Sequence, residues 1–90
     1  MPTPNLSKKA LDFIKQMQHK HAKQVLLKII ELCGNVSPPD SLRLEGSSEG
    51  YRRVDVGEYR IIYRLLGDQL EILLVGKRND NEIYRVFSRR

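Results

Sequence analysis

Two periods divide this chain. Up to Gly34, apolar residues recur every three or four positions. From Tyr51 onward they alternate with polar ones. The first spacing marks amphipathic helices and the second marks half-buried strands. Ser7 is a suitable N-cap for a helix carrying Ala10, Leu11, Ile14 and Met17 on one side, with Lys8, Lys9, Asp12 and Lys15 outside. His19, Lys20 and His21 form a polar junction. A second helix follows with Ala22, Val25, Leu26, Ile29, Ile30 and Cys33, stopped by Gly34. So short a junction predicts an antiparallel helical hairpin.

Ahead of the helices, Pro2 and Pro4 argue against a central strand. After them, Pro38-Pro39 enforces a loop, Leu42 and Leu44 enter the sheet briefly, and Glu45 to Gly50 is a flexible connection. Strands are expected over 51–56, 59–66 and 69–75. Tight turns at Gly57-Glu58 and Gly67-Asp68 join them, glycine standing first as a type II′ turn requires. Asn79 to Asn81 read as a polar loop, and Ile83 to Phe87 as a last short strand.

The turns fix which side chains share a face. Val56 opposes Tyr59, Asp55 opposes Arg60, Val54 opposes Ile61 and Arg53 opposes Ile62. The core face then holds Val54, Val56, Tyr59, Ile61, Tyr63, Leu65, Leu70, Ile72 and Leu74, for the helices to cover. The free face holds Arg53, Asp55, Arg60, Ile62, Arg64, Glu71, Leu73 and Val75. Slipping by one residue would bury three arginines, so the register is well determined. The expected architecture is α+β: two N-terminal helices packed on one face of a small twisted antiparallel sheet. Residues 1–90 form a single domain.

Composition narrows the function. The net charge is +5, and 30% of residues are charged. That balance suits a polyanionic or acidic partner. Cys33 is the only cysteine, so an internal disulfide and a zinc-ligand spacing are excluded, and an apolar run before it reads as a buried structural thiol. No secretion signal or membrane span is visible, which leaves the cytoplasm as the expected location. His19 and His21 lie at the helix junction, away from the arginine face. Nucleotide-binding glycine motifs, acidic pairs and nucleophile triads are not seen.

The candidate chemistry sits on the free face. Arg53 and Arg60 are on adjacent strands. Arg78 or Lys77 joins them only if the chain breaks its alternation after Gly76. Guanidinium groups converging there would grip a phosphate and stabilise charge added to it, with the Tyr84 phenol nearby. The same residues also allow a plainer reading. Asp55 faces Arg60 and Arg64 faces Glu71, as cross-strand ion pairs contributing roughly 0.2–1 kcal/mol each.

The segment YRRVDVGEYRIIYRL, followed by VGKRNDNEIY, resembles the RelE/ParE superfamily of type II toxin–antitoxin toxins, and its RelE branch in particular. The resemblance covers nearly the whole chain. It implies a ribosome-dependent endoribonuclease that cuts mRNA in the ribosomal A site and is neutralised by a cognate antitoxin. It implies no metal, organic cofactor, small-molecule ligand or membrane partner. By motif position the catalytic set falls on Arg53, Arg60, Arg78 and Tyr84, with Asp55 a candidate base, and Arg52, Arg64 and Lys77 are expected to contact RNA. Two departures stand out. Asp55 occupies a position where such toxins can carry a second basic residue, and it would partly neutralise Arg60 or accept a proton. Only about five residues precede the first helix, so the family's first strand is expected to be shortened or lost. Two other readings stay open: a ParE-like poison of DNA gyrase, and an inactive RNA- or protein-binding module.

Overall fold

The computed structural model of the chain describes residues 1–79 and 81–89. Asp80, inside the expected 79–81 loop, and Arg90 lie outside the described residues. In chain order the elements are β1 (Thr3–Leu6), α1 (Lys8–Gln16), α2 (His19–Gly34), β2 (Ser41–Arg43), β3 (Arg52–Val56), β4 (Tyr59–Leu66), β5 (Gln69–Lys77) and α3 (Glu82–Arg89). The strands form one sheet in the order β1-β5-β4-β3-β2. The α+β reading holds, with two additions: a parallel edge strand and a third helix.

Ser7 caps α1 as expected, its hydroxyl oxygen accepting from the Ala10 N–H at 3.0 Å. The junction between the helices lies at Met17 and Gln18. His19, Lys20 and His21 belong to the first turn of α2. Ala10, Ile14, Val25, Ile29, Leu32 and Cys33 pack with Val54, Ile61, Tyr63, Leu70, Ile72 and Val75 into one core. Burying those side chains is the main term holding the helices to the sheet. Tyr63 is fully buried, and its hydroxyl donates to the Val36 carbonyl at 2.7 Å. Cys33 is buried in this core, and burial pushes its thiol pKa up, as a structural thiol requires.

The β3–β4 register agrees with the hairpin expectation pair by pair, from Val56 opposite Tyr59 to Arg53 opposite Ile62. Gly57 and Gly67 open their turns at φ of 57° and 62°, a region glycine enters without steric cost. The sheet is not wholly antiparallel. β1 pairs in parallel with β5, Thr3 beside Gln69 and Leu6 beside Ile72. The first strand is therefore present, over four residues. Thr3 and Ser7 donate their N–H groups to the carbonyls of Asp68 and Ile72. Pro4, out of phase with them, directs its missing donor to the outer edge, where a proline is tolerated.

Three assignments change. First, Ile62 pairs with Leu74 while Tyr63 pairs with Ile72, so Leu73 is an extra residue, a β-bulge. Beyond the bulge the alternation inverts. Leu74 leaves the expected core face for the opposite side, and Val75 takes its place under the helices. Second, Leu65 is exposed, because β3 ends at Arg52 opposite Tyr63 and only β5 flanks Leu65. Third, residues 83–87 are helical. Ile83, Val86 and Phe87 stand at i, i+3 and i+4, and α3 lays them on Leu44, Tyr51, Ile62 and Leu74. The face expected to be free thus carries a second, smaller core. Burying Ile83 alone contributes about 2 kcal/mol.

Candidate active site

The β3–β4 hairpin puts Asp55 directly across from Arg60, and the two side chains lock together. Arg60 Nε donates to Asp55 Oδ1 at 2.7 Å and Nη2 to Oδ2 at 3.2 Å. The remaining Nη1 donates to the Tyr84 hydroxyl, and the guanidinium carbon lies 5.7 Å from the Tyr84 ring centre. The Arg60 side chain is only 13% exposed. All three nitrogens of Arg60 thus bond to two protein partners, which fixes the orientation of the guanidinium and leaves one N–H on each Nη beyond these bonds.

Tyr84 reaches Arg60 because of Gly76. The register places Gly76 opposite Arg60. A Cβ added at Gly76 would meet Ile83 Cβ at 3.2 Å, so α3 settles closely there and its first turn delivers the phenol. The Tyr84 N–H donates to the Asn81 carbonyl at 3.1 Å, closing that turn.

Arg78 arrives by the bulge. Simple alternation along β5 puts residue 78 on the helix side. The extra residue at Leu73 inverts that parity, and Arg78 comes out beside Asp55, its Nη1 3.9 Å from Oδ2. Its backbone N–H donates to the Glu58 carbonyl at 3.0 Å, which ties the end of β5 to the β3–β4 turn. No loop has to break the strand's alternation.

Three guanidinium groups therefore surround one carboxylate. The Asp55 pKa lies below the ordinary 3.8. The Arg60 hydrogen bonds are the main cause, desolvation opposes them, and the charges of Arg60, Arg78 and Arg53 add to the lowering. Arg60 is raised in turn, chiefly by its bond to Asp55. Asp55 is thereby a weak proton acceptor and a strong anchor. Next to this cluster an open groove of about 1070 Å³ runs between β2 and α3. Arg53 and Tyr84 line it on one side, and Leu42, Leu44 and Phe87 supply an apolar wall. A charged end and an apolar wall suit a phosphate joined to a planar base.

The other expected contacts lie elsewhere. Arg52 is on the helix side, its Nε and Nη2 on Ser41 Oγ at 3.2 and 2.9 Å. Arg64 shares the cluster's side of the sheet but sits at its far end, with its guanidinium 4.7 Å from the Tyr51 ring centre and bonded to Glu71 at 3.3 Å. Its ion pair with Glu49 spans 3.5 Å and pins the 44–51 connection. Lys77 pairs opposite Tyr59 and borders the helix junction with Phe13, Met17 and His21. His21 packs against Tyr59, ring centres 5.5 Å apart. Sequence reasoning missed Gly76 and the wall residues Leu42, Leu44 and Phe87. The helical spacing of Ile83, Val86 and Phe87 was the signal that would have found the wall. Among the described residues, no cluster of His, Cys, Asp or Glu could hold a metal ion. Nor is any helix long and apolar enough to cross a membrane.

Comparisons with known proteins bear on this arrangement. No curated protein matches the sequence. Among solved structures, the chain resembles an archaeal RelE–RelB complex from Pyrococcus horikoshii OT3, with a TM-score of 0.75 at 22% identity, over 86% of this chain and 94% of that one. The isolated E. coli RelE toxin gives 0.74 at 17% identity, over 100% of this chain and 98% of that one. A RelB–RelE antitoxin–toxin complex from Methanococcus jannaschii gives 0.69 at 26% identity, over 91% and 96%. The family model described as the ParE toxin of the type II toxin–antitoxin system parDE matches residues 5–82. With that match over most of its length, and a sheet and helices arranged as in the RelE structures, the chain belongs to the ParE toxin family of type II toxin–antitoxin systems.

Proposed function

We propose that this toxin is a ribosome-dependent endoribonuclease that cuts mRNA in the cytoplasm and is held in check by a cognate antitoxin. The observation that carries the reading is the junction of Arg60 with Tyr84 beside Arg78 and Asp55. It assembles cationic grip and a proton-bearing hydroxyl at one spot beside a groove. The antitoxin has support from the RelE–RelB and DinJ–YafQ complexes to which the chain is similar.

The reaction is attack of a ribose 2′-hydroxyl on the adjacent 3′-phosphate. The 2′-oxygen–phosphorus bond forms, the bond to the leaving 5′-oxygen breaks, and a 2′,3′-cyclic phosphate and a 5′-hydroxyl result. Arg78 and Arg53 hold the phosphate oxygens and offset the charge that builds there. Tyr84 protonates the leaving oxygen, guided by Arg60, while the 2′-hydroxyl proton passes to solvent water, from which Tyr84 is reprotonated. Asp55, with its lowered pKa, keeps Arg60 aimed and does not serve as the base. The ribosome supplies the RNA in a reactive geometry, which lets so sparse a site suffice.

The test is primer extension on a reporter mRNA translated in a bacterial extract, with wild type beside Arg78→Ala and Tyr84→Ala. Cuts inside translated codons, lost in both variants and absent from naked RNA, are expected. One observation favours a second reading, poisoning of DNA gyrase: Asp55 occupies two donor atoms of Arg60 that would otherwise meet phosphate. A folded wild type that leaves mRNA intact but yields gyrase-dependent DNA breaks would establish that reading instead.

A further inference from the structure

One end of the sheet carries basic side chains on both of its faces. Lys77 and Arg78 are consecutive, and their side chains leave the end of β5 in opposite directions. Arg78 comes out beside Asp55, while Lys77 borders an open cleft of about 360 Å³ on the helix side. Half-buried Phe13, Met17, His21 and Tyr59 form the wall of that cleft. The rings of Phe13 and His21 both contact Tyr59, their centres 6.1 and 5.5 Å from its own and their planes inclined to it by 70° and 52°. Three aromatic rings around one cleft offer faces and edges to a planar guest.

The mouth of the cleft is polar and cationic. Gln16, Gln18 and Lys77 are exposed there, and among the described residues no hydrogen bond or ion pair occupies their side chains. Each glutamine amide offers donors beside an acceptor, which suits the edge of a nucleobase. From Phe13 to Ile30 the chain has four lysines and no acidic residue. A cationic guest is thereby repelled, although the ring faces alone would attract one. A purely apolar guest would leave the amides and Lys77 without a role. An aromatic ring joined to a phosphate uses the wall and the mouth together.

We propose that this cleft is a second base-binding site, holding one nucleobase of a single-stranded RNA whose adjoining phosphates pass over Lys77 to Arg78. The Arg78 N–H is tied to the Glu58 carbonyl at 3.0 Å, so the backbone between the two basic side chains has a fixed position. The strand rounds the end of the sheet, with the reacting phosphate on the Arg60 side and an uncut nucleotide on the helix side. The cleft contributes grip and register and no reacting group. This inference rests on the proposed RNA substrate and extends it to a nucleotide beyond the cut.

The test titrates the full chain with a labelled single-stranded RNA of about eight nucleotides, and with a strand of the same length that lacks bases. His21→Ala is expected to weaken RNA binding about fivefold or more and to leave the baseless strand unchanged, with His21→Phe restoring the RNA affinity. Lys77→Gln should weaken both strands and lower the salt slope by about 0.7. Gln18→Glu, at the exposed rim, should weaken both by repelling phosphate, and circular dichroism verifies the fold of each variant. Ring-proton resonances of His21 and Tyr59 should shift with RNA and stay in place with the baseless strand. RNA affinity indifferent to His21→Ala, equal loss for the baseless strand, or unmoved ring resonances would each overturn the proposal. A glutamate-rich peptide that shifts those resonances where RNA does not would make this a protein-binding cleft and overturn it as well. Primer extension lets the two readings fail separately. Ribosome-dependent cutting by a wild type whose RNA affinity ignores His21→Ala overturns the cleft alone. RNA held as described by a wild type that cuts nothing overturns the nuclease reading alone.

Discussion

The hydroxyl of Ser7 donates to the carbonyl of Leu73 at 2.6 Å, and the same oxygen accepts from the Ala10 N–H at 3.0 Å. Ser7 thus starts α1 and satisfies the carbonyl of the bulge residue, which has no partner opposite it on β4. The bulge in turn brings Arg78 round to Asp55. One small side chain therefore links the first helix to the guanidinium cluster.

Two substitutions separate the roles of Ser7. Ser7→Ala loses both bonds and should cost about 1–3 kcal/mol. Ser7→Asp keeps an acceptor for the cap but has no proton for Leu73. Its helix should hold while its bulge loosens, so thermal melts should place it between wild type and Ser7→Ala. Its cleavage activity should fall nearly as far as that of Ser7→Ala.

Gly76 is a second lever on geometry. Gly76→Val drives a branched side chain into Ile83, already 3.2 Å from a Cβ there. The expected cost is about 1–3 kcal/mol from overpacking. α3 should lift and carry Tyr84 off Arg60. Amide exchange should speed up across 82–89, while the core under α1 and α2 keeps its protection.

Tyr84→Phe removes one hydroxyl and little packing. Cleavage should drop about 10²–10⁴-fold, with RNA affinity close to wild type. Equal loss of affinity and rate would give Tyr84 a binding role only.

The pH dependence of stability should report on Asp55. Its folded pKa is depressed, so the ionised form stabilises the fold above the unfolded value, near the ordinary 3.8. That contribution is lost as pH falls through the lower folded value. Denaturant midpoints of wild type and Asp55→Asn should differ by a constant amount above about pH 5 and converge only as pH falls below the ordinary 3.8 and through the lower folded pKa. A gap that persists at low pH would mean that charge plays no part.

Arg64 is expected to behave as a brace. Arg64→Ala should cost about 1–2 kcal/mol through loss of the Tyr51 stack and its ion pairs. Cleavage per folded molecule should change little, in contrast to Arg78→Ala. Denaturation curves and cleavage rates measured on the same preparations separate the two.

The hairpin register was legible because Gly57 and Gly67 punctuate a clear alternation, and a slip would have buried arginines. That alone set Asp55 against Arg60. The bulge was not legible. Leu70 and Ile72 to Val75 are apolar almost without interruption, and a period cannot be read from a run with no polar marks. Leu74, Val75 and the route to Arg78 went astray with it. The helix α3 hid because five residues rich in aromatic and branched side chains satisfy either period. The outer face of α2 hid for the opposite reason. Leu26, Leu27 and Ile30 are exposed. They follow Val25 so closely that only the position of the sheet tells inner from outer.

The parallel seam between β1 and β5 also sets an order of events. Ser7 meets Leu73 across a gap of sixty-six residues. A chain emerging from the ribosome N-terminus first carries its opening strand unpaired until β5 has followed. Contacts so distant in sequence form late and slowly. Arg60, Arg78 and Tyr84 gain fixed positions at about the same moment, so the molecule is assembled only when nearly all of it is free. Its synthesis carries a built-in delay between translation and competence.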